Sequence, residues 1–284
     1  MKMTLEARAK INLFLDITGK RSDGYHIINT VMQSVSLCDE VSVCENDDDK
    51  IKISCSDDNV PCDETNTAYK AVVCFFEYTG LDRKGITVKI KKRIPSQAGL
   101  AGGSADAAAV LMALDQMYNA GLDKTELAEI AEKIGADVPF CIYGGTMTAG
   151  GIGTILSPLP DMPDCHIVIV KPDFSVSTKE AYQRSDLLGY DNNKSPDAVI
   201  NGICNGSISE LAKGLYNKFE EVSGVEEISS VKNTMKKYGA LGACLSGSGS
   251  AVFGLFEEKS DAEKCRDALS DVYKNVFVVR PVSS

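Results

Sequence analysis

The sequence predicts an α+β protein of two domains, a mixed one over residues 1–157 and a ferredoxin-like one over residues 158–284. Three observations carry this. Strand and helix periods both occur in the first half, separated by glycine-bearing turns. In the second half the elements follow the order β-α-β-β-α-β with extra helices inserted, which is the ferredoxin-like order. At 284 residues the chain is also long enough for two packed domains.

From Leu5, residues Ala7, Ala9, Ile11, Leu13 and Leu15 alternate with Glu6, Arg8, Lys10, Asn12 and Phe14, the period of a strand with one face buried. Lys10 and Asn12 then share a face. Taken alone, that face reads as the solvated side of an edge strand. Residues 18–26 carry glycines and an Asp23-Gly24 step and mark a loop. In it Tyr25 stands beside His26, one of only two histidines, and the pair is either a recognition element or plain surface. Val41 with Val43, and Ile51 with Ile53 and Cys55, mark two strands, with Asp47-Asp48-Asp49 as a solvated turn between them. A polar linker over 56–64 leads to a helix at 66–78, closed by Gly80. Ile86, Val88 and Ile90 alternate as a further strand.

Next comes Pro95-Ser96-Gln97-Ala98-Gly99-Leu100-Ala101-Gly102-Gly103-Ser104-Ala105-Asp106, a loop from strand end to helix start. Strong helix formers run from Ala105 to about Asn119, with Ser104 as the natural N-cap. Three glycines let a ligand approach the main chain, and the first helical amides point outward at the positive end of the dipole. That makes a phosphate cradle. The same residues also fit a tight turn whose glycines serve packing. The loop is neither a Walker A sequence nor the dinucleotide fingerprint, because the Lys-Ser/Thr is absent and the glycine spacing differs.

A second helix is expected at 124–134, stopping at Gly135. Asp137 follows, either a buried acid in need of a partner or the cap of a short helix with Pro139 in its first turn. Thr146-Met147-Thr148 is a strand between glycines. The second half reads strand 166–170, helix 178–185, an interrupted helical stretch 195–222, helix 228–238, strands 241–246 and 250–256, helix 261–273 and strand 275–282. Between its central strands, Leu245-Ser246-Gly247-Ser248-Gly249-Ser250 reads as a flexible hairpin turn.

Net charge is −10, from 30 basic and 40 acidic residues, which argues against a general nucleic-acid binder while leaving room for a nucleotide site. Ten cysteines form no Cys-x-x-Cys pair, and several, such as Cys74 and Cys141, lie in apolar runs. With so few histidines a zinc site is not expected. Met1 leads directly into a strand pattern, and no apolar run approaches the roughly 20 residues of a membrane helix. Reduced thiols in the cytoplasm, with no membrane partner, are the expectation.

Taken together, these segments resemble the GHMP superfamily of small-molecule kinases. Its signature proline, spacer and glycine-rich loop opening a helix correspond to residues 95–108. Leu245-Ser246-Gly247-Ser248-Gly249 is similar to its C-terminal glycine motif. Within it, Ala9-Lys10-Ile11-Asn12-Leu13, Gly19-Lys20-Arg21, Asp23-Gly24-Tyr25-His26 and Gly135-Ala136-Asp137-Val138-Pro139 resemble the 4-diphosphocytidyl-2-C-methyl-D-erythritol kinases of the non-mevalonate isoprenoid route. The resemblance covers the chain almost end to end. It implies an active site in the cleft between the two domains, ATP as phosphoryl donor and Mg²⁺ as its counter-ion. It implies Lys10 and Asp137 as the catalytic pair. Asn12, Tyr25, His26, Thr178 and Tyr182 match the substrate side, and Asn66, Lys92 and residues 95–105 the ATP side. Tyr182 stands where the family often has another aromatic, and Ala101 and Ala105 replace Gly or Ser of some relatives. The alternatives are a mevalonate- or homoserine-type kinase, or a non-catalytic nucleotide-binding relative. Lys10 with Asp137 argues against the last, and Gly-Tyr-His against the others.

Overall fold

The computed structural model of the chain describes residues 1–174, 176–190 and 194–284. They gather into two compact units that interleave in sequence: Met1–Ala9, Leu37–Ser96 and Ala101–Tyr143 in the first, Lys10–Ser36, Gln97–Leu100 and Gly144–Ser284 in the second. The chain crosses between them several times, where the sequence reading draws one boundary after residue 157. Strands β1 (Lys2–Lys20) and β2 (His26–Asn46) run through both.

In the first unit, β3 (Ile51–Cys55) follows the acidic turn. Helix α1 (Thr67–Thr79) is capped by the Asn66 side chain and closed by Gly80, whose left-handed φ of 64° lets its N–H return to Phe76 O. Strand β4 (Gly85–Lys91) pairs antiparallel with the second half of β2 and parallel with β3. Helix α2 (Gly102–Tyr118) begins earlier than expected. Ser104 is therefore not its N-cap but lies in the first turn. Ala101 holds the cap position, with φ 57° and no side-chain hydrogen bond. Helix α3 (Lys124–Glu132) starts with a capping box between Asp123 and Glu126, and α4 (Val138–Tyr143) has Pro139 in its first turn. Helix α1 packs on α2, and α2 and α3 on α4. Val43, Val88, Phe75, Leu111 and Ile130 are buried in this unit.

The second unit carries a hairpin of β5 (Thr146–Gly150) and β6 (Ile155–Pro158), with β5 antiparallel to β2 over Thr30–Gln33. Then come β7 (His166–Lys171), α5 (Thr178–Leu188), α6 (Asp197–Cys204), α7 (Ile208–Lys213), the two-residue β8 (Tyr216–Asn217) parallel to β1, and α8 (Lys218–Ser223). Helix α9 (Glu226–Lys237), strands β9 (Gly242–Leu245) and β10 (Val252–Phe256), helix α10 (Lys259–Ser270) and strand β11 (Asn275–Val279) complete it. The sheet order is β11-β7-β10-β9, all neighbours antiparallel. That is the ferredoxin-like arrangement, with α5 to α8 as the inserted helices. Ile228, Val231 and Met235 of α9 and Cys265 and Leu269 of α10 share one core with Val168, Val170, Val252 and Leu245. Among the described residues no helix is long and apolar enough to cross a membrane.

Two strand expectations change in kind. Residues Ala9 to Ile17 of β1 are buried without interruption, so Lys10 and Asn12 do not lie on a solvated face. Strand β2 is far longer than the Val41–Val43 segment seen in sequence, because Thr30, Gln33, Ser34 and Asp39 are buried polar residues that break the apolar period. Thr30 and Gln33 make side-chain hydrogen bonds inside the unit, which is what allows a polar residue there.

Candidate active site

In the second unit, a chain of polar groups runs from β1 to the 245–250 turn. Lys10 is 4% exposed, and its Nζ donates to Asn12 Oδ1 at 2.7 Å. Asn12 Nδ2 donates to Thr30 Oγ1 at 2.9 Å, and Thr30 Oγ1 to Phe14 O at 2.6 Å. The Asn12 amide donates to Ser246 Oγ at 3.3 Å, which donates to Gly99 O at 3.0 Å. An ammonium taken this far from water needs such partners, and the amide of Asn12 is held with its oxygen toward Lys10.

The two glycine turns meet here. Gly99 has φ 75°, and a Cβ on it would lie 2.0 Å from Ser246 O. Ala251 N donates to Ala98 O and Lys10 N to Leu100 O, at 3.0 and 3.1 Å. The 245–250 turn is thus packed against residues 98–100 rather than a free hairpin. Asn217 Nδ2 reaches both Leu245 O and Gly247 O at 2.8 Å and holds the turn's shape. Thr178 and Ser248 hydroxyls lie 2.9 Å apart.

The first unit holds the opening of α2. The helix runs 17 residues with no side-chain cap at its start, so its first N–H groups face outward at the positive end of the dipole. Gly103 O accepts from Thr67 Oγ1 at 2.6 Å, and Ser96 Oγ donates to Asp57 Oδ2 at 3.0 Å. Beneath the turn, Lys92 Nζ bonds Asp39 and, at 2.9 Å, Asp106. Asp39 also accepts from the Arg93 and Ile94 amides at 2.5 and 2.8 Å. Burial, with Asp39 adding, pushes the Asp106 carboxyl up to about 7 although Lys92 opposes it. Burial alone would lower the Lys92 ammonium, but Asp106 and Asp39 hold it above the ordinary lysine range. Asn66 caps α1 through Ala68 N at 2.8 Å and donates to Pro61 O at 2.6 Å. Asp137 directly precedes α4, half-buried rather than buried. Its carbonyl accepts from Cys141 N at 3.3 Å.

Back in the second unit, His26 opens β2. Its Nε2 lies 2.6 Å from Asp186 Oδ1, and its ring stacks on Tyr182 with centroids 4.4 Å apart and planes at 21°. Asp186 also receives Lys20 Nζ on Oδ2 and Tyr190 Oη on Oδ1, both at 2.5 Å. Burial alone would raise the Asp186 carboxyl, yet the bonds from Lys20, Tyr190 and His26 hold it well below the usual carboxylate range. Burial and the Asp186 carboxylate push the Tyr190 hydroxyl up to about 12. Tyr25 is 60% exposed.

Comparison with known proteins shows the family of the chain. The family model "GHMP kinases N terminal domain" matches residues 66–145, and "GHMP kinases C terminal" matches residues 199–275. A 4-diphosphocytidyl-2-C-methyl-D-erythritol kinase of Alkaliphilus metalliredigens is 41% identical over 99% of this chain and 97% of its own length. One of Caldicellulosiruptor saccharolyticus is 43% identical over 97% of this chain and 96% of its own. The chain belongs to the GHMP kinases. A crystal structure of 4-(cytidine 5'-diphospho)-2C-methyl-D-erythritol kinase superposes with a TM-score of 0.84 at 31% identity, covering 99% of this chain and 100% of that one. A mevalonate kinase structure from L. major reaches a TM-score of 0.79 at 17% identity, with 100% and 98% covered, and shares the fold.

In this GHMP kinase the structure brings some of the expected site residues together as neighbours. Lys10 and Asn12 are joined directly, His26 and Tyr182 are stacked, and Lys92 lies beneath the start of α2. Thr30, Asp39, Asp186, Tyr190 and Asn217 were not singled out from sequence, and Asp106 was read only as the end of the loop. Ser246 was visible only as part of a glycine motif. Thr30 and Asp186 sit inside amphipathic elements as ordinary polar residues, and their partners lie 18 and 160 positions away.

Proposed function

We propose that this GHMP kinase transfers the γ-phosphoryl group of ATP to the 2-hydroxyl of 4-diphosphocytidyl-2-C-methyl-D-erythritol, in the non-mevalonate route to isoprenoid precursors. The observation that carries the reading is the likeness to relatives of that name over 97–99% of the chain at 41–43% identity. The His26 cluster supports it, since mevalonate and homoserine offer no base for such an arrangement to read. The reading brings with it a cytoplasmic setting and small-molecule partners only, with no nucleic acid and no membrane.

Phosphoryl transfer asks mainly for positioning and charge stabilisation, because its transition state spreads charge over the phosphoryl oxygens. The uncapped start of α2 fits the phosphates of ATP, whose oxygens would take the place of a side-chain cap on the first amides. Residues 95–105 form that side. Lys92 and Asn66 serve it from behind, Lys92 by bracing the loop against Asp39 and Asp106, and Asn66 by fixing α1. Lys10 counters charge that develops on the transferring group and acceptor oxygen, and Asn12 fixes the direction of its Nζ. Asp137 accepts or orients the hydroxyl proton. Tyr25, His26, Thr178 and Tyr182 line the substrate side. Mg²⁺ comes with ATP and neutralises phosphate charge. Among the described residues no group of three or more His, Cys, Asp or Glu is placed to hold a metal ion, so no protein ligand is assigned.

The test is ADP release from ATP and Mg²⁺ with cytidylyl-methylerythritol, mevalonate or homoserine offered in turn. Turnover is expected with the first alone. Turnover with mevalonate or homoserine in its place overturns the reading.

A further inference from the structure

Asp186 has no part in the reading above, yet it is the hub of the His26 cluster. It stands on α5, two turns beyond Thr178. Lys20 binds one of its oxygens, while Tyr190 and His26 meet at the other. With Lys20 on one of its oxygens, the carboxylate is placed to accept an Nε2–H from the imidazole on the other. A neutral imidazole that donates through Nε2 has its acceptor at Nδ1. The stack on Tyr182 fixes the plane of the ring. Nδ1 is then the ring's remaining polar atom for a ligand, with its character set by Asp186.

We propose that Asp186 is a positioning residue that sets base specificity, holding His26 with its proton on Nε2 so that Nδ1 accepts from the exocyclic amino group of a cytosine. Uracil carries a carbonyl at that place and would set one acceptor against another, which a site of this kind rejects. The inference rests on the reading that the substrate is cytidylylated and that His26 reads its base.

Two measurements test it. The first needs no substrate. With only two histidines in the chain, ¹⁵N NMR near neutral pH can assign the His26 ring by comparison with His26→Gln. The expected result is a protonated Nε2, an unprotonated Nδ1 and an Nε2 proton protected from exchange with water, the protection being lost in Asp186→Leu. A proton on Nδ1, or a doubly protonated ring, overturns the proposal. The second compares kcat/KM for the cytidylyl substrate and its uridylyl analogue. The preference for cytidine should fall about tenfold in Asp186→Leu, the size of one hydrogen bond, chiefly through KM. Asp186→Asn, which keeps an oxygen toward His26, should lie between. Tyr190→Phe disturbs the same cluster without removing the carboxylate and should keep the preference. An equal loss on both substrates, or an unchanged ratio in folded Asp186→Leu, overturns the proposal. A wild-type chain that uses neither compound sinks the cytidylyl reading and the specificity built on it, and leaves the NMR result standing.

Discussion

Lys10 and Asp137 are the residues on which turnover should depend most steeply. Lys10→Met removes the ammonium and leaves Asn12 Oδ1 without its buried donor, and Asp137→Asn removes the carboxylate proposed to accept or orient the hydroxyl proton while keeping size. Each should lower kcat by about 10²-fold or more with little change in ATP binding, by the usual size of charge-stabilising and acid–base contributions. Steady-state kinetics decides, and near-normal turnover in Asp137→Asn would take it out of the chemistry. Tyr25 is exposed and free to stack on a base, at about 1–3 kcal/mol. Tyr25→Ala should raise KM for the cytidylyl substrate roughly 5- to 100-fold and leave KM for ATP nearly unchanged. Weakened ATP with an unaffected cytidylyl substrate would mean the two sides are assigned in reverse. Asp106 gives a pH prediction. Its folded carboxyl sits at about 7 against an unfolded value of 3.8, so between these values the folded state binds the extra proton. Its contribution to stability is then present below the unfolded value and lost as pH rises through about 7. Thermal melts from acid to neutral pH should fall less steeply in Asp106→Asn than in the wild type. Parallel curves would remove Asp106 from the account.

At the scale of elements, the two glycine turns differ from the glycine that closes α1. Gly80 has a left-handed φ, but a Cβ there meets nothing within 4 Å. Gly80→Ala should therefore cost only the backbone preference, about 1 kcal/mol. Gly99 has both a left-handed φ and Ser246 O in the place of its Cβ. Gly99→Ala must move the 98–100 segment or the 245–250 turn, adding strain of about 1–3 kcal/mol, and it disturbs the carbonyl to which Ser246 is bonded. A clearly larger fall in melting temperature for Gly99→Ala than for Gly80→Ala is expected, and equal falls would show that the turns are not packed as described. The start of α2 belongs to the same scale. Ala101 at the cap gives the first helix amides no side-chain acceptor, where a Ser or Asp would satisfy one of them internally.

For the whole molecule, ligand linkage is the plainest measurement. Anything that binds the folded chain alone stabilises it by mass action, about 2.7 kcal/mol at a hundredfold excess over Kd. Mg-ATP and the cytidylyl substrate should each raise the melting temperature when added alone, since the two draw on different residues. No shift with Mg-ATP at millimolar concentration would contradict the phosphate role given to α2.

Features that depend on neighbours along the chain were legible before folding. Helices α1, α2, α3, α9 and α10, and strands β3, β4, β7 and β10, follow from local period, caps and glycine stops. The ferredoxin-like order follows from their succession. Motifs such as 95–106 and 23–26 were legible because close approach and tight turning demand particular residues at fixed spacing. Which faces are covered follows from packing between distant segments. Alternation in β1 shows one apolar face, but burial of the other, with Lys10 and Asn12 on it, depends on elements far along the chain. The length of β2 was hidden for the same reason, as its buried polar residues carry no apolar period. Asp186, Thr30 and Asp106 owe their significance to partners remote in sequence or to the lack of water around them. Polar pairing and desolvation are properties of a place in space, and a place in space is what folding adds to the sequence.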